Sequence, residues 1–342
     1  MRHLATRVVA GAAIAEATLW TGLFDRAHLL PPWTRRKRRE IEHDHDVAGL
    51  LDLPVPFALN VPATPLYAAP GPRSEWLAFQ VGLVASTRRR YDLAATTAAW
   101  RGLADDAEAP RLSISQRAAL DGLLAGVAPP LTGHDHARHA DDAACVRALA
   151  LATLLPDDGA LLCAVRDDAT ITNAEDGVWC AEAVAVALTA TARGDTPERA
   201  VAAAAAHLPP RSWSAERLHR ALRIGAETTS SVELALRLDH DVANAAYSYG
   251  DAAPDVVAIA LTIFRTCHPR VDAALFAALA VPRHAAAVAP LVGAMCAAGG
   301  ALPFPLGRTR ELIPSFLGVS LPRLRGVHPL DVLDTTTHDE GA

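Results

Sequence analysis

Apolar residues recur every three or four positions along most of the chain, in segments separated by polar or proline-rich stretches. This spacing is typical of amphipathic helices, and no stretch of useful length alternates apolar and polar residues as a strand would. Alanine and leucine, which favour helices, supply most of the apolar positions. The pattern predicts an all-α protein of a dozen or more helices, with main segments at residues 4–23, 75–86, 94–104, 113–125, 141–155, 159–169, 173–193, 214–224, 231–238, 252–267, from 286 onward, and 309–317.

Two helix starts carry specific signals. Thr172 and Glu175 fit the Ser/Thr-x-x-Glu capping box, in which each side chain bonds a backbone amide at the start of the helix. Thr196 followed by Pro197 combines an N-cap residue with a first-turn proline. The sequence therefore predicts that helices begin at about residues 173 and 197.

The stretch 280–300 is almost uncharged and consists mainly of alanine, valine and glycine. Its small side chains let another backbone come close, so the stretch predicts a buried helix from Ala286 onward. Arg283 and His284 form a polar entrance to this helix.

One domain is expected, because no internal repeat or break in composition divides the chain. We assign residues 1–325 to this domain and residues 326–342 to a polar, disordered tail. Repeated prolines at residues 31–72 exclude a continuous helix there. A long irregular segment inside a domain is typical of a functional lid or loop region.

Composition narrows the class of partner. The formal net charge is −6, which requires neither a nucleic-acid nor a membrane partner, and we predict neither. The five cysteines are odd in number and widely spaced, as expected of free thiols in a reducing compartment. The apolar stretch at residues 8–15 is short and diluted with alanine and glycine, so it predicts a first helix rather than a signal peptide. No segment combines the length and hydrophobicity of a membrane span, and we predict a cytoplasmic protein.

Two histidine-rich clusters, at residues 43–46 and 134–139, contain side chains that chelate metals. Both lie in predicted loops, where polar residues collect in any case, so their metal binding is left open. Asn173 and Asp176 stand at a predicted helix start, and Gly177 in the first turn suggests that another segment or a ligand comes close. Tyr247 and Tyr249 precede another helix start, where they would either hold a ring or phosphate or serve packing.

Four segments in a fixed order resemble the ADP-ribosylglycohydrolase family, the helical proteins that include ADP-ribosylhydrolases and crystallin J1. Residues 142–148 are similar to its glycine–alanine–methionine–arginine segment, and residues 168–177 to its aspartate–alanine, threonine and acidic-glycine segment. Residues 247–254 and 282–294 resemble two motifs of one bacterial branch. The resemblance covers residues 7–325 and implies a compact all-α fold with a cleft.

In active members, the resemblance implies, this cleft holds two magnesium ions that activate a water for attack on the anomeric carbon of a ribosyl group. The first ligand motif, Thr-Asp-Asp-Thr, aligns with residues 74–77, where Glu75 keeps one carboxylate and Trp76 replaces the next acid. The second motif, Asp-x-Asp-Thr, aligns with residues 284–287, which contain no carboxylate. The Gly-Asp pair of the family's first helix becomes Ala-Glu at residues 15–16.

Magnesium requires hard oxygen ligands and releases its waters reluctantly, so it needs anchoring carboxylates. Two such ions would bring four positive charges into the cleft, and Glu75 alone cannot balance them. We therefore predict that the two-magnesium site is absent, and we predict no cofactor.

Three hypotheses remain. In the first, the protein is a metal-independent catalyst that acts on a nucleoside-, sugar- or cyclisation-type small molecule, with Glu75, Asp176 and His284 as proton carriers. In the second, it is a pseudoenzyme that binds ADP-ribose or a partner protein. In the third, a conventional metal-dependent hydrolase uses shifted acids such as Asp25 or Asp44. The sequence leaves the oligomeric state open, and the candidate ligand-binding residues are Ser74, Trp76, Asn173, Tyr247, Tyr249 and Arg283.

Overall fold

Alanine- and leucine-rich segments form helices throughout the part of the chain that the structure describes. The computed structural model describes residues 2–19, 43, 47–49, 68–87, 89–155, 159–243, 251–281 and 284–334. Within these ranges the protein is all-α, and a single isolated bridge joins Asp141 to Ala252. In the same ranges, no helix has both the length and the apolar character needed to cross a bilayer.

The helices are numbered in chain order. They are α1 (Arg2–Thr18), α2 (Pro72–Ser86), α3 (Leu93–Arg101), α4 (Ile114–Leu124), α5 (Leu131–His134), α6 (Cys145–Leu154), α7 (Leu161–Ala169), α8 (Asp176–Ala192), α9 (Pro197–His207), α10 (Trp213–Glu227), α11 (Ser231–Asp241), α12 (Ala253–Cys267), α13 (Val271–Leu279), α14 (Ala285–Ala298) and α15 (Thr309–Leu312). Short 3-10 turns follow at Gly102–Asp105, Leu306–Arg308, Pro322–Leu324 and Asp331–Leu333.

The predicted all-α class is confirmed, and most predicted helices occur within a few residues of their expected bounds. The hydroxyl of Thr196 caps α9 as expected, by accepting a hydrogen bond from the N–H of Arg199. The last predicted helix is too long, since α15 ends at Leu312 rather than at residue 317. Pro314 explains the difference, because a proline disfavours helical backbone in the residue before it.

The capping box predicted at residues 172–175 is wrong. Helix α8 begins at Asp176, and Glu175 precedes it with a positive φ of 47° and no capping bond from its side chain. The Thr172 hydroxyl accepts from the Arg147 guanidinium at 3.0 Å and donates to Oδ1 of Asn173 at 2.6 Å. The Thr172 hydroxyl is therefore bonded to the buried Arg147 and does not cap the helix as the sequence pattern predicts.

Helices α1 and α14 cross with their backbones in close contact, through Gly11 and Gly293. A Cβ atom added at Gly11 would lie 2.6 Å from Cβ of Ala297, and one added at Gly293 would lie 2.5 Å from Cβ of Ala15. Both distances are shorter than side chains tolerate, so glycine is required on both sides of the crossing. Residues 280–300 therefore contain the buried, closely approached helix that their composition predicts.

Helix α8 lies at the centre of the fold and contacts α6, α7, α9, α12 and α14. Helix α2 packs on α6 and on the carboxyl-terminal segment, and one continuous apolar core joins these elements. Helices α2, α6 and α14 contact one another in this arrangement. The family resemblance leads us to expect the cleft near the amino-terminal ends of α2 and α14.

The packed chain extends beyond the predicted domain end at residue 325. Leu330, Val332 and Leu333 are buried against the helical body, and a 3-10 turn covers Asp331–Leu333. The disordered tail predicted from residue 326 therefore starts too early, because these apolar side chains gain free energy by packing. Residues 335–342 lie outside the described residues.

Candidate functional site

The amino terminus of α2 carries the first motif position, and a carboxylate from α1 caps it. Gly71 precedes the helix and has no side chain that could cap it. Glu16 of α1 accepts the N–H of Arg73 at 3.1 Å and the N–H of Ser74 at 2.8 Å. Burial raises the pKa of Glu16, against these hydrogen bonds, which lower it. Glu16 therefore supplies the capping oxygens that the start of α2 lacks.

Glu75, in the first turn of α2, binds the carboxyl-terminal segment with both carboxylate oxygens. Oε1 accepts the N–H of Val319 at 2.7 Å, and Oε2 accepts the N–H groups of Ser320 and Leu321, each at 2.7 Å. The side chain is completely buried. Burial raises the pKa of Glu75 to about 7, although the three amide donors oppose the shift by favouring the carboxylate.

Trp76 fills the space beside Glu75. It is 1 % exposed, and its Nε1–H donates to Oγ of Ser320 at 3.0 Å. Its ring stacks on Trp100 at a centroid distance of 4.7 Å and meets Phe79 edge-on at 5.2 Å. Trp76 is thus part of an aromatic core cluster, and Ser74 beside it is likewise buried.

Asn173 ties the loop before α6 to the loop before α8. Its Nδ2 donates to the carbonyl of His139 at 3.1 Å and to the carbonyl and Oδ1 of Asp141 at 2.8 and 3.0 Å. Burial and the neighbouring Asp142 raise the pKa of Asp141 to about 6. Asp142 itself pairs with Arg73 through two hydrogen bonds of 2.9 and 3.1 Å.

Asp176, the first residue of α8, bonds the start of α10. Its Oδ1 accepts the N–H of Ser214 at 2.8 Å and also the hydroxyl of Ser214. The neighbouring Gly177 is approached closely, because a Cβ atom there would lie 2.5 Å from the His139 carbonyl oxygen. The close approach that the sequence suggests at Gly177 therefore comes from the chain itself.

His284 lies at the start of α14 and is 2 % exposed. Its Nε2 is 3.9 Å from Oδ2 of Asp255, a buried residue in the first turn of α12. Nε of Arg217 lies 3.1 Å from Oδ1 of the same aspartate. Sequence reasoning missed Asp255 and Arg217, since an acid in a first helical turn is ordinarily explained by the helix dipole.

A second buried ion pair, between Arg147 of α6 and Asp168 of α7, lies against the aromatic cluster. Nε of Arg147 donates to Oδ2 of Asp168 at 2.8 Å, and both side chains are at most 1 % exposed. The guanidinium of Arg147 also lies over the ring of Trp100, 5.3 Å from its centroid. This pair connects the first motif region to the segment at residues 168–177.

The histidines at residues 134–139 bond to their own surroundings. Nδ1 of His134 lies 2.8 Å from Oδ1 of Asp135, while ring nitrogens of His136 and His139 contact the carbonyl oxygens of Thr172 and His136. Throughout the described ranges, no group of three or more His, Cys, Asp or Glu side chains is arranged to hold a metal ion. Tyr247, Tyr249, Arg283, residues 44–46 and most of the predicted lid at 31–72 lie outside the described residues.

The carboxylates of the first motif region are engaged by the backbone. Both oxygens of Glu75 and both of Glu16 already accept backbone N–H groups. At the second motif, residues 285–287 are alanines in the first turn of α14, and they offer no ligand atom beyond the backbone.

Comparisons with known proteins identify the family of this chain. The family model described as ADP-ribosylglycohydrolase matches residues 32–306, and this chain therefore belongs to the ADP-ribosylglycohydrolase family. A solved structure described as an ADP-ribosylglycohydrolase-related protein complex has a similar fold, with a TM-score of 0.52 and 15 % sequence identity. That similarity covers 98 % of this chain and 100 % of the other. The search of curated proteins finds no match.

Proposed function

We propose that this chain is a non-hydrolytic member of its family, which binds an ADP-ribose-type small molecule without magnesium. One observation carries the proposal: the carboxylate of Glu75 is fully buried and bonded to three consecutive backbone N–H groups. A carboxylate in this state contributes to the fold and has no oxygen directed at a metal or a substrate.

Charge balance supports the same proposal. Two magnesium ions would bring four positive charges close to the start of α2, where the carboxylates of Glu75 and Glu16 already accept backbone N–H groups and Asp142 already pairs with Arg73. An uncompensated buried charge costs several kcal/mol. The hydrogen bonds that the two carboxylates accept from backbone N–H groups would also have to break. The alanines at residues 285–287 provide no compensating acid.

The contacts of Asp176 argue against the acid–base role considered for it. Its Oδ1 holds both polar groups of Ser214, so a proton transfer there would disturb the start of α10. We assign Asn173 to the support of the loops before α6 and α8, and Asp176 to the contact between α8 and α10.

The test combines an activity measurement with a binding measurement. ADP-ribosylated peptides carrying the modification on arginine or on serine are incubated with the protein and magnesium, and released ADP-ribose is quantified. ADP-ribose binding is then measured by calorimetry in magnesium and in EDTA. We expect no release above background, and binding that EDTA leaves unchanged.

Two matched variants make the activity measurement decisive. Glu182 is also a buried glutamate with both oxygens bonded, to Arg166 and His207, but it lies away from the motif. Magnesium-dependent release that Glu75→Gln abolishes and Glu182→Gln preserves would overturn the proposal. Absence of ADP-ribose binding would show that ADP-ribose is not the ligand of this protein.

His284 supports a second candidate function, a metal-independent acid–base catalyst. The imidazole of His284 is buried with its Nε2 3.9 Å from the Asp255 carboxylate, so two groups of the kinds used in acid–base catalysis lie in one buried site. A screen of nucleosides, sugars and small molecules that can cyclise, carried out in EDTA, tests it. Turnover that His284→Gln abolishes and His219→Gln, on the exposed face of α10, leaves intact would establish this function.

A further inference from the structure

The three histidines of the loop before α6, at positions 134, 136 and 139, differ in how their ring nitrogens are used. Nδ1 of His136 accepts the N–H of Arg138 at 3.2 Å, so the proton of the neutral ring is on Nε2, which donates to the carbonyl of Thr172 at 3.0 Å. His136 therefore ties this loop to the segment before α8, and both of its nitrogens are engaged.

His134 and His139 use Nδ1 as a donor and keep Nε2 as an acceptor. Nδ1 of His134 lies 2.8 Å from Oδ1 of Asp135, and Nδ1 of His139 lies 3.1 Å from the carbonyl oxygen of His136. Carboxylate and carbonyl oxygens accept hydrogen bonds, so each neutral ring carries its proton on Nδ1 and its lone pair on Nε2. Neither ring makes a further hydrogen bond within the described part of the chain.

This use of the two nitrogens is typical of histidines that bind metals. Such a histidine coordinates the ion through one nitrogen, while the other donates its N–H to a carboxylate or a backbone carbonyl, which fixes the tautomer and the orientation of the ring. Asp135 supplies the carboxylate behind His134, and the carbonyl of His136 supplies the acceptor behind His139. The outer contacts of a two-histidine site are therefore in place.

The two rings also lie side by side. Their planes are within 16° of parallel, and their centroids are 6.4 Å apart. With metal–nitrogen bonds of about 2.0–2.1 Å, two imidazoles on one ion have centroids roughly 4.5 to 6.5 Å apart, depending on the angle at the metal. The observed separation lies at the upper end of this range, and the side chain of His134, which is 64 % exposed, has room to rotate inward.

We propose that Nε2 of His134 and Nε2 of His139 bind one divalent ion of the zinc, copper or nickel class, with water in the remaining coordination positions. Imidazole suits these metals, whereas magnesium and manganese prefer oxygen ligands. The His139 carbonyl accepts the N–H of Ala174 at 3.0 Å and Nδ2 of Asn173 at 3.1 Å. The ion is therefore a clip that stabilises the loop where it packs on the start of α8. The inference does not depend on the ligand assigned above.

Calorimetric titration of the full-length protein with zinc chloride, and separately with copper and nickel salts, tests the site. The protein carries no affinity tag, so that no added histidine competes for the metal. We expect one ion per chain, with copper bound most tightly, because nitrogen ligands generally rank these metals in that way. Zinc should also shift the Nε2 resonances of His134 and His139 in NMR spectra of the imidazole nitrogens, while those of His136 change little.

A matched variant separates this pair from an ordinary surface histidine. Nδ1 of His240 likewise lies 2.9 Å from Oδ1 of the next residue, Asp241, and its side chain is 75 % exposed. No second histidine ring stacks on it among the residues that the structure describes. His134→Gln and His139→Gln should each weaken zinc binding by roughly 10-fold or more, because a single imidazole loses the gain from chelation. His240→Gln should leave the affinity unchanged.

Three results would overturn the site. They are the absence of saturable zinc binding, equal effects of His134→Gln and His240→Gln, and a ratio of one ion per two chains, which would indicate a bridge between molecules. Because His134 is exposed, its replacement keeps the test decisive even if His139→Gln fails to fold. The titration measures metal binding alone, so its outcome is separate from that of the ADP-ribose experiments.

Discussion

Trp76 stacks on Trp100 with their ring centroids 4.7 Å apart, directly beside the buried carboxylate of Glu75. The family resemblance places an acid of the first metal motif at position 76. The indole instead extends the core from α2 to α3 and donates a hydrogen bond to Oγ of Ser320 in the carboxyl-terminal segment. The motif region therefore contributes packing and backbone capping to the fold.

Removing this indole should destabilise the protein strongly. Trp76→Ala would leave a cavity beside Trp100 and Phe79, and we expect it to lower the free energy of unfolding by about 3–5 kcal/mol. Urea denaturation measures the change. Trp213→Ala, at the partly exposed start of α10, is the control and should cost much less. Equal losses for the two variants would contradict a core role for Trp76.

Because α1 and α14 cross in backbone contact, any side chain larger than glycine at Gly11 or Gly293 should destabilise the protein. Gly11→Ala and Gly293→Ala each insert a methyl group into backbone contact, and we expect losses of about 1–3 kcal/mol or more. Gly82→Ala, also in a helix, meets nothing within 4 Å and should be neutral or stabilising by up to about 1 kcal/mol. Thermal unfolding of the three variants measures the difference, and a stable Gly293→Ala protein would contradict the close crossing.

The pH dependence of stability should change when Glu75 is replaced. Burial raises its pKa from 4.5 to about 7 in the folded protein, whereas the unfolded chain titrates near the ordinary value. Between these pH values the folded state binds more protons, so the free energy of unfolding falls as the pH rises. Relative to Glu75→Gln, the wild type should lose up to about 3 kcal/mol between pH 4.5 and 7. Denaturation curves at several pH values measure this, and a constant difference would contradict it.

A double-mutant cycle separates a structural role of Asp176 from a catalytic one. Asp176→Ala and Ser214→Ala should each destabilise the protein, and their combined loss should be smaller than the sum by about 1–2 kcal/mol. The reason is that both variants remove the same contact between α8 and α10. Additive losses would show that the two side chains do not support each other.

The fold could be predicted from the sequence because its signals are local. Helical spacing, the Thr196–Pro197 start and the small residues of the stretch 280–300 each act within one or two helical turns. The order of motifs then identifies the family, which the family model confirms. The limits of prediction are also physical: Pro314 ends α15 early, and the Thr172 hydroxyl is taken by Arg147 from another helix.

The site could be predicted only in part, because its contacts join distant segments. The hydrogen-bond partners of Glu75 are the backbone N–H groups of residues 319–321. The residues around position 75 contain no pattern that predicts these partners. The pairing of His284 with Asp255 likewise depends on how α12 packs on α14. The absence of carboxylates at residues 285–287, in contrast, can be seen directly in the sequence.

Titration of the wild-type protein with magnesium by calorimetry, with manganese as a second probe, measures directly whether the start of α2 binds metal. We expect no saturable binding, because the Glu75 and Glu16 carboxylates are engaged by backbone amides and residues 285–287 supply no acid. Two bound ions per chain, lost in Glu75→Gln and retained in Glu182→Gln, would contradict it.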